Sequence, residues 1–121
     1  MAVLSTPNWV RVWFRGAAAY GVVALLATWV RPAPAGDALF FHGFAGTAMA
    51  FQLAFWIIGG DPVRHRPLMP AAVAEKLAFV IPVAMLAAAG RAAPTTLAAG
   101  AVDLILGIGF LAAWRVTPRA A

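Results

Sequence analysis

The stretch TTLAAGAVDLILGIGFLAAW, residues 95–114, decides how the chain must be read, because it is an apolar run with a single charge, Asp103. A helix needs about 20 such residues to cross a hydrocarbon core of about 30 Å. Three further runs have the same character: about Pro7 to Val30, Ala38 to Ile58 and Leu68 to Ala89. Between them lie Arg31–Asp37, Gly59–Pro67 and Gly90–Pro94, short segments rich in Gly, Pro and charge. Such segments are turns. Their shortness makes consecutive helices antiparallel neighbours. The expected fold is all-α, an up-down-up-down four-helix transmembrane bundle in which residues 1–121 form one integral membrane domain.

Composition agrees. Hydrophobic residues make up 64% of the 121 residues and charged residues 11%. A soluble domain carries about 25% charged residues, so water cannot be the solvent for most of this surface. The net charge of +5 does not indicate nucleic acid, because the basic residues are spread between apolar blocks. They form no basic stripe with interleaved aromatics. The sequence has no cysteine, which excludes thiol catalysis, disulfides, thiolate metal sites and covalent haem attachment. Arg11 and Arg15 precede an apolar run, and Ala33-Pro34-Ala35 imitates a signal-peptide cleavage site. Arg31 interrupts the approach to that site, so this run is taken as the first transmembrane helix.

Orientation follows from charge. Arg11, Arg15, Arg64, Arg66, Arg115 and Arg119 fall on one side, while Arg31 and Arg91 fall on the other. The positive-inside rule then places both termini and the middle loop in the cytoplasm. Trp9, Trp13, Trp56 and Trp114 fall near the inner interface and Trp29 near the outer one, as an aromatic belt requires. At the helix ends, Thr6 is the expected N-cap with Pro7 at the first helical position. Gly59 or Gly60 is the expected left-handed end of the second helix. In the cytoplasmic loop, Asp61 is expected to pair with Arg64 or Arg66, or to cap the turn. Pro82 is expected to kink the third helix.

Ionisable and polar groups within apolar runs need a reason to be there. His42, Gln52, Glu75, Asp103 and, more weakly, Tyr20 are such groups. At 1.5 Å per residue, Gln52 and Glu75 share an inner level, and Asp103 lies slightly nearer the outside, within reach of His42. His42, Ala45, Met49, Gln52 and Trp56 form one stripe of the second helix, and Gly100, Asp103 and Gly107 one face of the fourth. Small residues beside Asp103 allow close helix approach. Lys76 stands a step around the helix from Glu75, with its side chain expected to snorkel to the cytoplasmic interface.

Two uses of these groups stand side by side. Gln52–Glu75 and His42–Asp103 hydrogen bonds would fix helix register, contributing about 0.6–2 kcal/mol each. Alternatively, Glu75 and Asp103 line a polar pocket for a ligand or a proton. A lone intramembrane imidazole at His42 could also ligate a haem or pigment metal, and His42, Asp103 and Glu75 could form a metal cage without motif spacing. No Ser/His/Asp arrangement, P-loop or dinucleotide fingerprint is present. No catalytic residue or metal ligand is therefore assigned and no cofactor is required, although lipid, quinone or pigment is compatible with the pocket.

Gly60–Met69 (GDPVRHRPLM), Glu75-Lys76-Leu77 and Ala101–Gly107 (AVDLILG) resemble small four-helix bacterial membrane proteins of the DoxX-like type, over most of the chain from His42 onward. The resemblance implies a multi-pass protein of the bacterial inner membrane. Some relatives are linked to redox partner complexes. More distant four-helix proteins with acidic residues in the bundle bind or isomerise sterols, and Glu75 and Asp103 are the positions onto which that idea carries. The lack of cysteine counts against a thiol-redox role. Small multidrug transporters have a similar size, but their essential carboxylate is in the first helix, which here has no acid.

The expected function is a non-catalytic accessory or assembly subunit of a larger membrane complex, partnered by lipid and by other membrane subunits or a second copy of the chain. The basis is small size and small-residue helix faces at Gly16–Ala19, Gly43, Gly46, Gly107 and Gly109. Two alternatives remain: binding or transformation of an apolar ligand (quinone, isoprenoid or sterol-like) beside Glu75 and Asp103, and a proton-coupled transporter.

Overall fold

The computed structural model describes residues 5–121. Four α-helices account for most of them: α1 (Asn8–Trp29), α2 (Ala38–Gly60), α3 (Met69–Ala88) and α4 (Pro94–Val116). A single 3-10 turn at Arg66–Leu68 leads into α3. No strand occurs among the described residues. All four helices are long and apolar enough to cross a membrane.

Antiparallel pairing is visible in the side-chain contacts. On the first hairpin, α1 meets α2 from Arg15 against Gly59, through Gly21 against Gln52, to Trp29 against His42. On the second, α3 meets α4 from Lys76 against Gly107 to Val83 against Gly100. Packing is dense within each hairpin and sparse between them. The hairpins join chiefly at the end that holds Asn8 and Val116. There Phe14 stacks on Phe110 with ring centroids 4.4 Å apart, and Phe55 lies 4.8 Å from Phe110. Val10, Ala17, Ala18, Ile58, Met69, Ala72 and Ala113 complete this core. Hydrocarbon is as apolar as these side chains, so close van der Waals contact rather than exclusion of water holds them.

Several helix ends differ from expectation. Pro7 is itself the N-cap of α1, with no side-chain cap. Its carbonyl accepts from the Val10 N–H at 3.0 Å, and the Thr6 hydroxyl has no partner. Gly59 and Gly60 are not left-handed; both belong to α2. The reason is space: a Cβ at Gly59 would lie 2.7 Å from Cγ of Arg15, so the glycine lets α1 approach. Positive φ occurs instead at Gly36, between α1 and α2, and at Gly90, at the end of α3. Gly90 has φ +67°, and the Arg91 N–H donates to the Leu86 carbonyl at 2.8 Å, a Schellman closure. Helix α3 runs through Pro82 without interruption, and that proline lies on the exposed side.

The basic end is tied together by arginines. Arg11 donates to the Gly60 carbonyl, and the Arg15 guanidinium lies over Trp56 at 4.6 Å. Arg66 donates through Nε to the Thr117 carbonyl at 2.7 Å and covers Trp114 at 5.2 Å. In the middle loop, Asp61 caps the turn by accepting the Arg64 backbone N–H at 3.2 Å rather than pairing with either guanidinium. Trp13 departs from the aromatic belt. It turns into the bundle, donating its indole N–H to the Leu106 carbonyl at 3.1 Å, and Gly109 makes room for its ring.

Candidate functional site

Away from the phenylalanine core, the sparse contact between hairpins leaves a cavity of about 510 Å³ to which all four helices contribute. Helix α1 supplies Tyr20, Gly21 and Leu25, and α2 supplies Phe44, Phe51 and Gln52. Alanines at 71, 74 and 78 line the α3 side, beside Glu75, Lys76 and Phe79; Ala99 and Asp103 line the α4 side. The small side chains follow from sequence: Ala71, Ala74 and Ala78 recur at helical spacing on one face of α3.

Where the cavity meets the phenylalanine core stands a cluster of three charged groups. Lys76 Nζ lies 3.3 Å from Glu75 Oε2 and 3.3 Å from Asp103 Oδ1, donating a hydrogen bond to the latter. Its third direction faces the Phe55 ring at 5.3 Å. The lysine side chain is only 4% exposed, against 13% for Glu75 and 17% for Asp103. With all three ionised the cluster carries one net negative charge, and one added proton or cation neutralises it. Gly107 makes this geometry possible, because a Cβ there would lie 3.1 Å from Cβ of Lys76.

Lys76 is therefore the main correction to the sequence reading. It does not snorkel; it lies inside, bridging α3 to α4. Residues at i and i+1 leave a helix about 100° apart, but a flexible four-carbon stem spans that angle. The available signal was a charge count: two acids buried in apolar spans, and one lysine within them.

The other expected partners separate. Gln52 is 2% exposed, but its amide donates to the Ala48 carbonyl at 2.8 Å rather than meeting Glu75. Its Oε1, packed against Gly21 at the cavity wall, has no hydrogen-bond partner. His42 does not reach Asp103. Its ring packs on Trp29 at 4.8 Å and edge-on to Phe41 at 5.4 Å, outside the cavity lining. The candidate cage of His42, Asp103 and Glu75 accordingly does not assemble, and no group of three metal-ligating side chains converges among the described residues. The cavity thus gathers Glu75, Asp103 and Gln52, adds Lys76 and Tyr20, and leaves His42 out. Asp61, Arg64 and Arg66 remain in the loop at the basic end.

Comparison with family models, curated proteins and solved structures gives no match, so the site is read from its own geometry.

Proposed function

We propose that this chain is a small multi-pass membrane protein that binds an apolar molecule bearing one polar head group. The observation that carries the reading is the cavity of about 510 Å³ with the Glu75–Lys76–Asp103 cluster in its wall. Ligand pockets are typically about 300–1,000 Å³, mainly apolar, with a few converging polar groups that orient the ligand. Leu25, Phe44, Phe51 and Phe79 would hold the apolar body, and the cluster the head group. A quinone, isoprenoid or sterol-like skeleton fits this division. The reading includes a bacterial inner-membrane location with the arginine-rich end in the cytoplasm, supported by the placement of Arg11, Arg15, Arg64, Arg66 and Arg115 at one end. It keeps the DoxX-like kinship as a proposal of common architecture.

The test is native mass spectrometry of the protein released from mild detergent, with an Ala99→Phe variant. Ala99 lines the cavity one helical turn from Asp103, so a phenylalanine there fills the space above the cluster. Wild type should retain a small molecule that Ala99→Phe loses, with unfolding temperature unchanged. Equal retention by both would refute binding in this cavity. A fixed protein partner and no small molecule would support the accessory-subunit reading instead.

A further inference from the structure

The polar groups around the cluster are unevenly matched in kind. Lys76 donates one hydrogen bond, to Asp103 Oδ1, while Glu75 Oε2, 3.3 Å from the ammonium, is buried with no hydrogen-bond partner of its own. Each carboxylate, in contrast, has two oxygens with about four lone-pair sites in total, and meets only the one ammonium. Glu75 and Asp103 both line the cavity and keep part of their side-chain surface open. Gln52 adds a buried carbonyl oxygen with no donor at the same wall. The charged end of the cavity thus holds more acceptor sites than donors: two carboxylates and the Gln52 oxygen stand against the Lys76 ammonium, with the Tyr20 hydroxyl supplying one further O–H from α1.

We infer that the cavity selects an apolar molecule whose head group donates a hydrogen bond, an alcohol or hydroquinone, over the same skeleton ending in an acceptor alone. This rests on the ligand-binding reading above and adds the polarity of the head group to it. A hydroxyl hydrogen would satisfy a carboxylate lone pair that otherwise faces the cavity. A carbonyl or ether oxygen would meet the carboxylates lone pair to lone pair. A hydrogen bond to a charged group gives a preference of about tenfold or more.

The experiment compares farnesol with farnesyl methyl ether, using equilibrium binding to the full chain in lipid nanodiscs. The two share a skeleton and differ in the one hydrogen. The ether partitions more strongly into lipid, so unspecific uptake gives the opposite order. Farnesol should bind at least tenfold tighter, and its binding should disappear in Ala99→Phe. Glu75→Gln and Asp103→Asn each replace an acceptor oxygen by an N–H donor, and in folded, monodisperse variants the preference should shrink. Equal affinity for the two probes, with both lost in Ala99→Phe, would overturn the donor inference and leave the cavity reading standing. Binding of neither probe, or uptake unaffected by Ala99→Phe, would overturn both.

Discussion

Replacing Lys76 by methionine is the most direct perturbation of the site. Methionine keeps an unbranched stem against Gly107 and removes the ammonium. In the native cluster that ammonium stands 3.3 Å from each of two carboxylates, with its side chain 4% exposed. At an effective dielectric of about 20, each attraction is on the order of 5 kcal/mol before desolvation. Desolvation of the ions offsets several kcal/mol apiece. The net loss on removing one partner of a buried pair is about 3–5 kcal/mol, because the remaining charge is buried uncompensated. Lys76→Met should therefore destabilise the bundle by about 3 kcal/mol or more. The measurement is reversible unfolding in mixed micelles followed by circular dichroism. The triple variant Glu75→Gln, Lys76→Met, Asp103→Asn removes all three charges and should recover at least half of the loss, since uncharged groups tolerate burial better. A Lys76→Met variant within about 0.5 kcal/mol of wild type, the scale of an ordinary surface change, would refute the buried bridge. That result is what a lysine reaching out to the interface would give.

Three further changes probe how the helices support this site. In Gly109→Ala the new Cβ would fall about 2.0 Å from the Trp13 ring. It should expel the indole, cost about 1–3 kcal/mol and shift tryptophan emission; an unchanged spectrum would contradict the contact. Gly107→Leu should separate α3 from α4 at Lys76, with a loss of similar size, and a cysteine pair placed across these helices should then cross-link more slowly. Arg66→Ala removes the 2.7 Å bond to the Thr117 carbonyl and the cover over Trp114. The effect on global stability should be about 1 kcal/mol, since the group is partly exposed. Amide exchange should quicken at the end of α4, and no change there would show that the loop does not anchor that end.

The helices were legible in the sequence because hydrocarbon imposes length and composition at once: a run such as residues 95–114 has few other folds open to it. The face of α4 carrying Gly100, Asp103 and Gly107 was legible for a local reason, since three residues on one turn-by-turn stripe share a direction whatever surrounds them. What failed depended on how one helix is rotated against another. His42 and Asp103 stand at compatible depths, yet depth does not say which way a stripe turns, and α2 gives His42 to Trp29 on its own hairpin. Gly59 looked like a chain stop because glycine ends helices, whereas here it clears space for Arg15. Lys76 was misplaced because a long flexible stem loosens the link between backbone angle and the position of the charge.

The location of the charged cluster also bears on what it is for. Polar groups retained only to hold the bundle together would belong at its weakest interface, between the two hairpins. Instead Glu75, Lys76 and Asp103 all belong to α3 and α4, which already pack closely along their length. The cluster's own contact with the first hairpin comes from the Phe55 ring over Nζ; the hairpins are otherwise joined by Phe14, Phe55 and Phe110, by the Trp13–Leu106 bond and by Phe44 stacked on Phe79. Between the hairpins, at the level of the charges, lies the cavity. Desolvating three ions costs several kcal/mol each, and placing them beside the gap rather than across it adds little to assembly of the bundle. It does put two under-used carboxylates where an incoming head group would meet them, which is the arrangement a binding site requires.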